Sequence, residues 1–224
     1  MQASARLDHL VVMAATLEQG VQWCEATLGI TPGPGGQHAL MGTHNRLFSI
    51  ASKRYPQTYF EIIAIDPQAP APARPRWFDM DDPTLRETVA RSGPQLTHFV
   101  ARVPDAQAAL TALGALGLDR GEVLQASRPI ANGLLQWQIT VRADGQRLFD
   151  CTLPTLIQWG PTHPAQAMAE SGITLQELAV THPRAHTLSA AYHAVGLEGV
   201  RVRAGPARLS ARFLTPRGPI EIHS

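Results

Sequence analysis

The sequence has few of the features that would direct a protein to a nucleic acid or to an oxidising compartment. It contains one lysine, Lys53, two cysteines and only 6% aromatic residues, and its formal net charge is +1 over 224 residues. A nearly neutral chain offers no electrostatic attraction to nucleic acid or to an anionic membrane surface. Cys24 and Cys151 lie far apart and match neither a metal site nor a redox motif. These shortages remove the electrostatic case for a nucleic-acid or membrane partner, and they make a reduced cytosol the default expectation.

Long hydrophobic runs are also missing. No stretch is long enough to cross a bilayer, and Met1–Arg6 lacks the apolar core of a signal peptide. With 44% hydrophobic and 17% charged residues, the chain has the composition of a globular protein. The single lysine among many arginines, with abundant alanine, proline and glycine, is typical of a GC-rich bacterial coding sequence. We therefore expect a cytoplasmic bacterial protein.

A short apolar strand with a polar residue in its third position occurs three times. The copies are 7–12 (LDHLVV), 96–101 (LTHFVA) and, more loosely, 175–180 (LQELAV). Each copy precedes a segment with apolar residues at helical spacing, and three short strands follow each helix. Local repeats of this kind favour an α+β fold over a doubly wound sheet.

Pro-rich and Gly-rich breaks divide the chain into predicted units. The first βαβββ unit covers 7–66, and 67–95 forms a Pro-rich connector with a helix. The second βαβββ unit covers 96–165, and a third, degenerate βαβββ-like unit covers 173–224.

Three motifs within these units resemble a known family. They are Leu7-Asp8-His9, 42–47 (GTHNRL) and 153–159 (LPTLIQW). Together they resemble the glyoxalase-like domain family of the vicinal oxygen chelate superfamily, which includes glyoxalase I, extradiol dioxygenases and bleomycin-resistance proteins. The resemblance implies that two βαβββ units pair and that their curved sheets close a cup.

The resemblance also implies a set of metal ligands on the first and fourth strands of each unit. At those positions stand His9, Glu61 and His98. The fourth position is open between Gln158, an uncharged and poor ligand, and Asp150, which lies as far beyond His98 as Glu61 lies beyond His9.

Two imidazoles and one carboxylate would suffice for a divalent Fe, Mn, Ni or Zn ion with open positions. Such a site polarises a carbonyl and stabilises an enediolate, which suits an isomerase, a lyase or a dioxygenase. If no metal binds, Glu61 is instead a candidate base. The alternative function is a metal-free protein that binds or sequesters a small molecule in the same cup.

Further polar residues could line the cup. His38 is a candidate for a catalytic or a substrate-binding role, and Asn45 and Gln158 for substrate binding. Asn45 could equally shape a turn between two strands. His163 follows the last motif in a loop that could reach the mouth of the cup.

The third unit carries glutamate where the other two carry histidine. Glu177, Glu221 and His223 would lie on one face of its strands, either as a second cluster or exposed to solvent. An unpaired third unit must pack on the first two units or meet a second copy of the chain in a homodimer.

Overall fold

A computed structural model describes residues 4–130 and 133–224 of the chain. The first unit contains five elements: β1 (Arg6–Met13), α1 (Leu17–Thr27), β2 (Gln37–His38), β3 (Thr43–Ser49) and β4 (Tyr59–Ile65). The Thr16 side chain accepts a hydrogen bond from the Gln19 backbone N–H at 3.1 Å and so caps the start of α1. Asn45 lies within β3 and does not shape a turn between two strands, because the strand already begins at Thr43.

The second unit follows a connector that contains α2 (Pro83–Ser92). Its elements are β5 (Gln95–Arg102), α3 (Ala106–Gly114), β6 (Glu122–Ile130), β7 (Gly133–Val141) and β8 (Thr155–Trp159). A short 3₁₀ helix, Pro164–Ala167, leads to the third unit. That unit contains β9 (Thr174–Thr181), α4 (Ala185–Ala194), β10 (Val200–Arg203), β11 (Arg208–Thr215) and β12 (Gly218–His223).

The first two units share one curved eight-stranded sheet with the order β2-β3-β4-β1-β5-β8-β7-β6. The first strand of each unit pairs in parallel with its fourth, and antiparallel β1 and β5 join the units at the centre. This arrangement confirms the predicted α+β class and the pairing of two βαβββ units around a cup.

The third unit follows the predicted order of elements but not the pairing of the other two. In its four-stranded sheet the order is β10-β9-β11-β12, so the first strand lies between two others and pairs in parallel with the second. It is therefore a βαβββ-like unit with a different sheet, and its likeness to the repeat is limited to the sequence of elements.

Two apolar layers cover the faces of the large sheet. On the outer face, Phe60 and Phe99 pack against Phe213 and Tyr192 of the third unit, with ring centroids 5.9 and 6.3 Å apart. The third unit thus packs on the first two. The inner face carries a separate apolar cluster that includes Ile139 and surrounds a polar site. Among the described residues, no helix is long and apolar enough to span a membrane.

Candidate functional site

His9 and Glu61 meet on the inner face because β1 and β4 are neighbours. In the parallel register His9 pairs with Tyr59, and Val11 pairs with Glu61. The two polar side chains are buried, and Nε2 of His9 lies 3.5 Å from Oε2 of Glu61. The Tyr59 ring stacks on the His9 imidazole at 4.5 Å. Of the three predicted metal ligands, these two are brought together.

Asp8 holds the His9 ring at Nδ1, the nitrogen that faces away from Glu61. Its Oδ1 lies 2.6 Å from Nδ1 of His9, and its Oδ2 accepts hydrogen bonds from Trp159 Nε1 at 3.0 Å and His163 Nε2 at 2.9 Å. A bulge between Leu7 and His9 allows adjacent side chains to approach each other. Burial alone would raise the pKa of Asp8, but the hydrogen bonds from His163 and His9 hold it well below its usual range. Asp8 is thus a buried anion that orients His9.

A second chain of hydrogen bonds orients Glu61. The Asn45 amide donates to Oε1 of Glu61 at 2.6 Å and lies 3.3 Å from Nε2 of His38, whose Nδ1 lies 3.0 Å from the Thr43 hydroxyl. The Gly36 backbone N–H donates to Oδ1 of Asn45 at 2.8 Å, which fixes the orientation of the amide. Burial lowers the pKa of His38 to about 4, so the ring is neutral near pH 7 and can accept a hydrogen bond from Asn45.

The second unit does not reproduce the pairing of a histidine with a carboxylate that His9 and Glu61 form. His98 is fully buried beside Phe78, and its Nε2 lies 3.0 Å from the Thr155 hydroxyl and 3.4 Å from Arg120. Burial and the charges of Arg120 and Arg147 hold the pKa of His98 well below its usual range. His98 does not line the cavity that His9 and Glu61 share.

The strand register identifies the residue that corresponds to Glu61. Glu61 pairs with the residue two places after His9, and Thr155 pairs with Val100, the residue two places after His98. Thr155 therefore occupies the fourth position, for which the sequence had suggested Gln158 or Asp150. The reason lies in the loop before β8, which places Thr155 beside Val100 of β5, where the sequence alignments had placed Gln158 or Asp150.

Gln158 and Asp150 both lie elsewhere. The Gln158 side chain accepts a hydrogen bond from the Ala106 backbone N–H at 2.8 Å, at the start of α3 on the outer side of the sheet. Asp150 is 74% exposed and faces His182 at 3.3 Å. The structure brings neither residue to the cavity.

Two neighbouring cavities, an inner and an outer chamber, share part of their lining. The inner chamber, about 30 Å³, has room for about one or two water-sized groups and is bordered by His9, Glu61, His38 and Asn45. The outer chamber, about 660 Å³, is also lined by the 3₁₀ helix and the residues that follow it. Leu47, Leu135, Pro164 and Arg128 border both chambers.

Aromatic side chains form much of the inner wall. Trp77 of the connector lies 5.1 Å from His38, and Trp137 and Trp159 lie 5.7 Å apart on neighbouring strands. Trp77, Trp137 and Arg128 lie outside the three sequence motifs, so the motifs did not identify them as part of the cavity wall.

The polar residues of the third unit lie on another surface. Glu177 forms ion pairs with Arg201 at 2.9 Å and with Arg212, and Nδ1 of His223 lies 3.0 Å from the Ser210 hydroxyl. The second sheet packs on the outer face of the large sheet, so these groups have no access to the cup.

The donor set on the inner face is incomplete for the predicted metal site. His9 and Glu61 converge, but the second unit contributes apolar and aromatic side chains and the cationic Arg128 to the cavity, and His98 is held between Thr155 and the positive charge of Arg120. In residues 4–130 and 133–224 no group of three or more His, Cys, Asp or Glu side chains could hold a metal ion. The predicted set of His9, Glu61 and His98 does not fit a common ion in this arrangement.

Comparison with known proteins places this geometry in a family. Solved structures that match this chain include these two. One is a hypothetical protein from Staphylococcus aureus, with 14% identity and a TM-score of 0.60, covering 91% of this chain and 87% of that one. The other is methylmalonyl-CoA epimerase from Mycobacterium tuberculosis, with 17% identity and a TM-score of 0.39, covering 73% and 91%.

A search of curated protein sequences gave no significant match. The glyoxalase-like domain, however, matches residues 7–196, which is most of the chain. The protein therefore belongs to the glyoxalase-like domain family, within the vicinal oxygen chelate superfamily.

Proposed function

We propose that this protein is an enzyme that moves a proton on a small oxygenated organic compound, as an isomerase or a lyase does. The observation that carries the proposal is the double support of Glu61 at the floor of the cavity. Asn45 holds one carboxylate oxygen at 2.6 Å, and His9, itself held by Asp8, faces the other at 3.5 Å. A carboxylate fixed in this way in a water-poor chamber is a suitable general base.

In the proposed reaction Glu61 removes a proton from a carbon beside a carbonyl or carboxyl group. The C–H bond breaks, an O–H bond forms on Oε2 of Glu61, and the electron pair moves onto the oxygen of the substrate. Nε2 of His9 lies close enough to exchange the proton with Glu61 and return it to the substrate at another position. Asp8 keeps the His9 ring in place throughout, and His38 supports Glu61 both through Asn45 and directly, with its Nε2 4.0 Å from Oε1 of Glu61.

Deuterium exchange tests this reaction without a known substrate. The protein is incubated in D₂O with 2-oxo acids, 2-hydroxy acids and 1,2-diketones, and proton NMR follows the loss of the C–H signals. We expect exchange on at least one compound, and we expect Glu61→Gln to slow it by about 100-fold or more. Glu87→Gln, which changes an exposed glutamate on α2, is the matched control and should leave the rate unchanged. Full exchange by Glu61→Gln would contradict the proposal.

Metal dependence is the second candidate, and the 3.5 Å approach of His9 to Glu61 favours it because two ligands of one ion lie about this far apart. Divalent metals are common in the superfamily. Metal analysis of the purified protein, and exchange assays with added Fe, Mn, Ni or Zn, test this candidate. Retention of one ion that His9→Ala removes would support it, and a protein indifferent to all four metals would oppose it.

A further inference from the structure

The outer chamber differs from the inner one in both size and lining. At about 660 Å³ it lies in the range of small-molecule sites, whereas the inner chamber admits only a small group. Its walls are mostly apolar and include Ile30, Pro34, Phe48, Ile130, Ala167 and Met168. A ligand that reaches Glu61 would therefore leave an apolar body in the outer chamber.

Arg128 stands where the two chambers meet. It lies on β6, one edge of the large sheet, and shares the inner face with Leu124 and Ala126. Its guanidinium reaches Gly36, beside β2 at the opposite edge, so closely that a Cβ on Gly36 would lie 2.0 Å from Nη1. Arg128 thus bridges the open seam of the curved sheet by means of its side chain.

Within residues 4–130 and 133–224, the Arg128 guanidinium faces no carboxylate at ion-pair distance. Among the described residues it forms no salt bridge, and its buried Nη1 has no hydrogen-bond partner. Arg74, Arg76 and Arg142, by contrast, each face a carboxylate at 3.1 Å or less. The Arg128 side chain is partly buried, and a buried donor atom such as its Nη1 is costly without a partner unless a ligand supplies an acceptor.

We propose that Arg128 binds the carboxylate of an organic acid whose apolar chain fills the outer chamber. Guanidinium and carboxylate groups match in a two-bond geometry, and one guanidinium balances one carboxylate charge. The carboxylate would then lie at the entrance to the inner chamber, with the neighbouring carbon directed toward Glu61. This last point rests on the proton-transfer reaction proposed above, whereas the binding of the carboxylate does not.

Calorimetric titration with octanoate and with 1-octanol tests the role of Arg128, because the two probes share a chain and differ in charge. We expect the wild-type protein to bind octanoate at least tenfold more tightly than 1-octanol. Arg128→Gln should remove this preference by weakening the binding of octanoate at least tenfold, with little change in the affinity for 1-octanol. Arg46→Gln, an exposed arginine on β3, is the matched control.

Two further variants keep the test decisive. Arg128→Lys retains the charge without the two-bond geometry and should bind octanoate with intermediate affinity, which separates a loss of recognition from a loss of folding. Glu61→Gln should still bind octanoate even though it loses proton exchange. Equal affinity of the wild type for both probes, or unchanged octanoate binding by Arg128→Gln, would overturn the assignment. Failure of the exchange assay alone would overturn only the proposed reaction.

Discussion

At the scale of single residues, the site depends on buried groups whose protonation differs from that in water. His38 is held neutral by burial, with a pKa of about 4, and can therefore accept the hydrogen bond of Asn45. Asp8 remains charged because His163 and His9 surround it. The two supports of Glu61 thus require one neutral histidine and one buried anion.

The pKa of His38 predicts a loss of stability in acid. In the unfolded chain His38 takes up a proton below its ordinary pKa of 6.5, whereas in the folded protein it does so only near pH 4. Between these values the unfolded state binds more protons, so the free energy of unfolding falls as the pH falls. We expect His38 to account for up to about 3 kcal/mol of this fall, and His98 adds to it in the same direction.

Urea unfolding at pH 7 and pH 5 measures the effect. The wild type should be less stable at pH 5, and His38→Gln should reduce the difference between the two pH values. His186→Gln, which alters an exposed histidine on α4, should leave the difference as it is in the wild type. An identical pH dependence in wild type and His38→Gln would contradict the prediction.

At the scale of strands and helices, the register decides which residues face the cup. The apolar periodicity predicted the order of the elements, because alternation along a strand and helical spacing are local properties. The periodicity could not predict the register of β8 against β5, because this register depends on the loop 142–154 and on the strand pairing itself. Gln158 was therefore expected at the site, whereas its neighbours Ile157 and Trp159 face the inner cluster.

Gln158 serves α3 instead, and its removal should act on stability alone. Its side chain satisfies the Ala106 backbone N–H, one of the unpaired donors at the start of the helix. We expect Gln158→Ala to lower the free energy of unfolding by about 1 kcal/mol. Octanoate binding, measured by the same titration as for Arg128, should not change. A tenfold loss of binding in a folded Gln158→Ala protein would place Gln158 at the site after all.

At the scale of the whole molecule, the third unit completes the core behind the site. Its Phe213 is fully buried and packs edge-on against Phe60 of β4, the strand that carries Glu61. The apolar cluster on the outer face draws side chains from all three units. We therefore expect the chain to unfold as one cooperative unit.

Phe213→Ala tests this cooperativity. All four tryptophans precede the third unit, at positions 23, 77, 137 and 159, so their fluorescence reports on the rest of the chain. The substitution should lower the stability seen by fluorescence by about 3–5 kcal/mol, as expected for a large buried side chain. Leu214→Ala, at a neighbouring residue that is 51% exposed, should have little effect. Unchanged fluorescence unfolding in Phe213→Ala would show that the third unit folds separately.

The site could be predicted only as far as the repeated motif reaches. His9 and Glu61 follow from the positions at which the family resemblance implies metal ligands, and the structure brings them to within 3.5 Å. Arg128 belongs to no motif. It could not be predicted as a site residue because its position there depends on the closure of the curved sheet. The sequence of the third repeat also did not predict that its strands pair differently from those of the first two units, because element order alone does not determine which strands are neighbours.

The two halves of the cup are alike in backbone and unlike in charge. Glu61 in the first half corresponds to Thr155 in the second, where the hydroxyl is already bonded to His98 and Arg120. A pair of facing bases could return a proton to either face of the planar carbon that deprotonation leaves, but a single base approaches from one side. In the proposed reaction the two hydrogens of a prochiral CH₂ group are therefore not equivalent, and deuterium from the solvent should enter with one handedness.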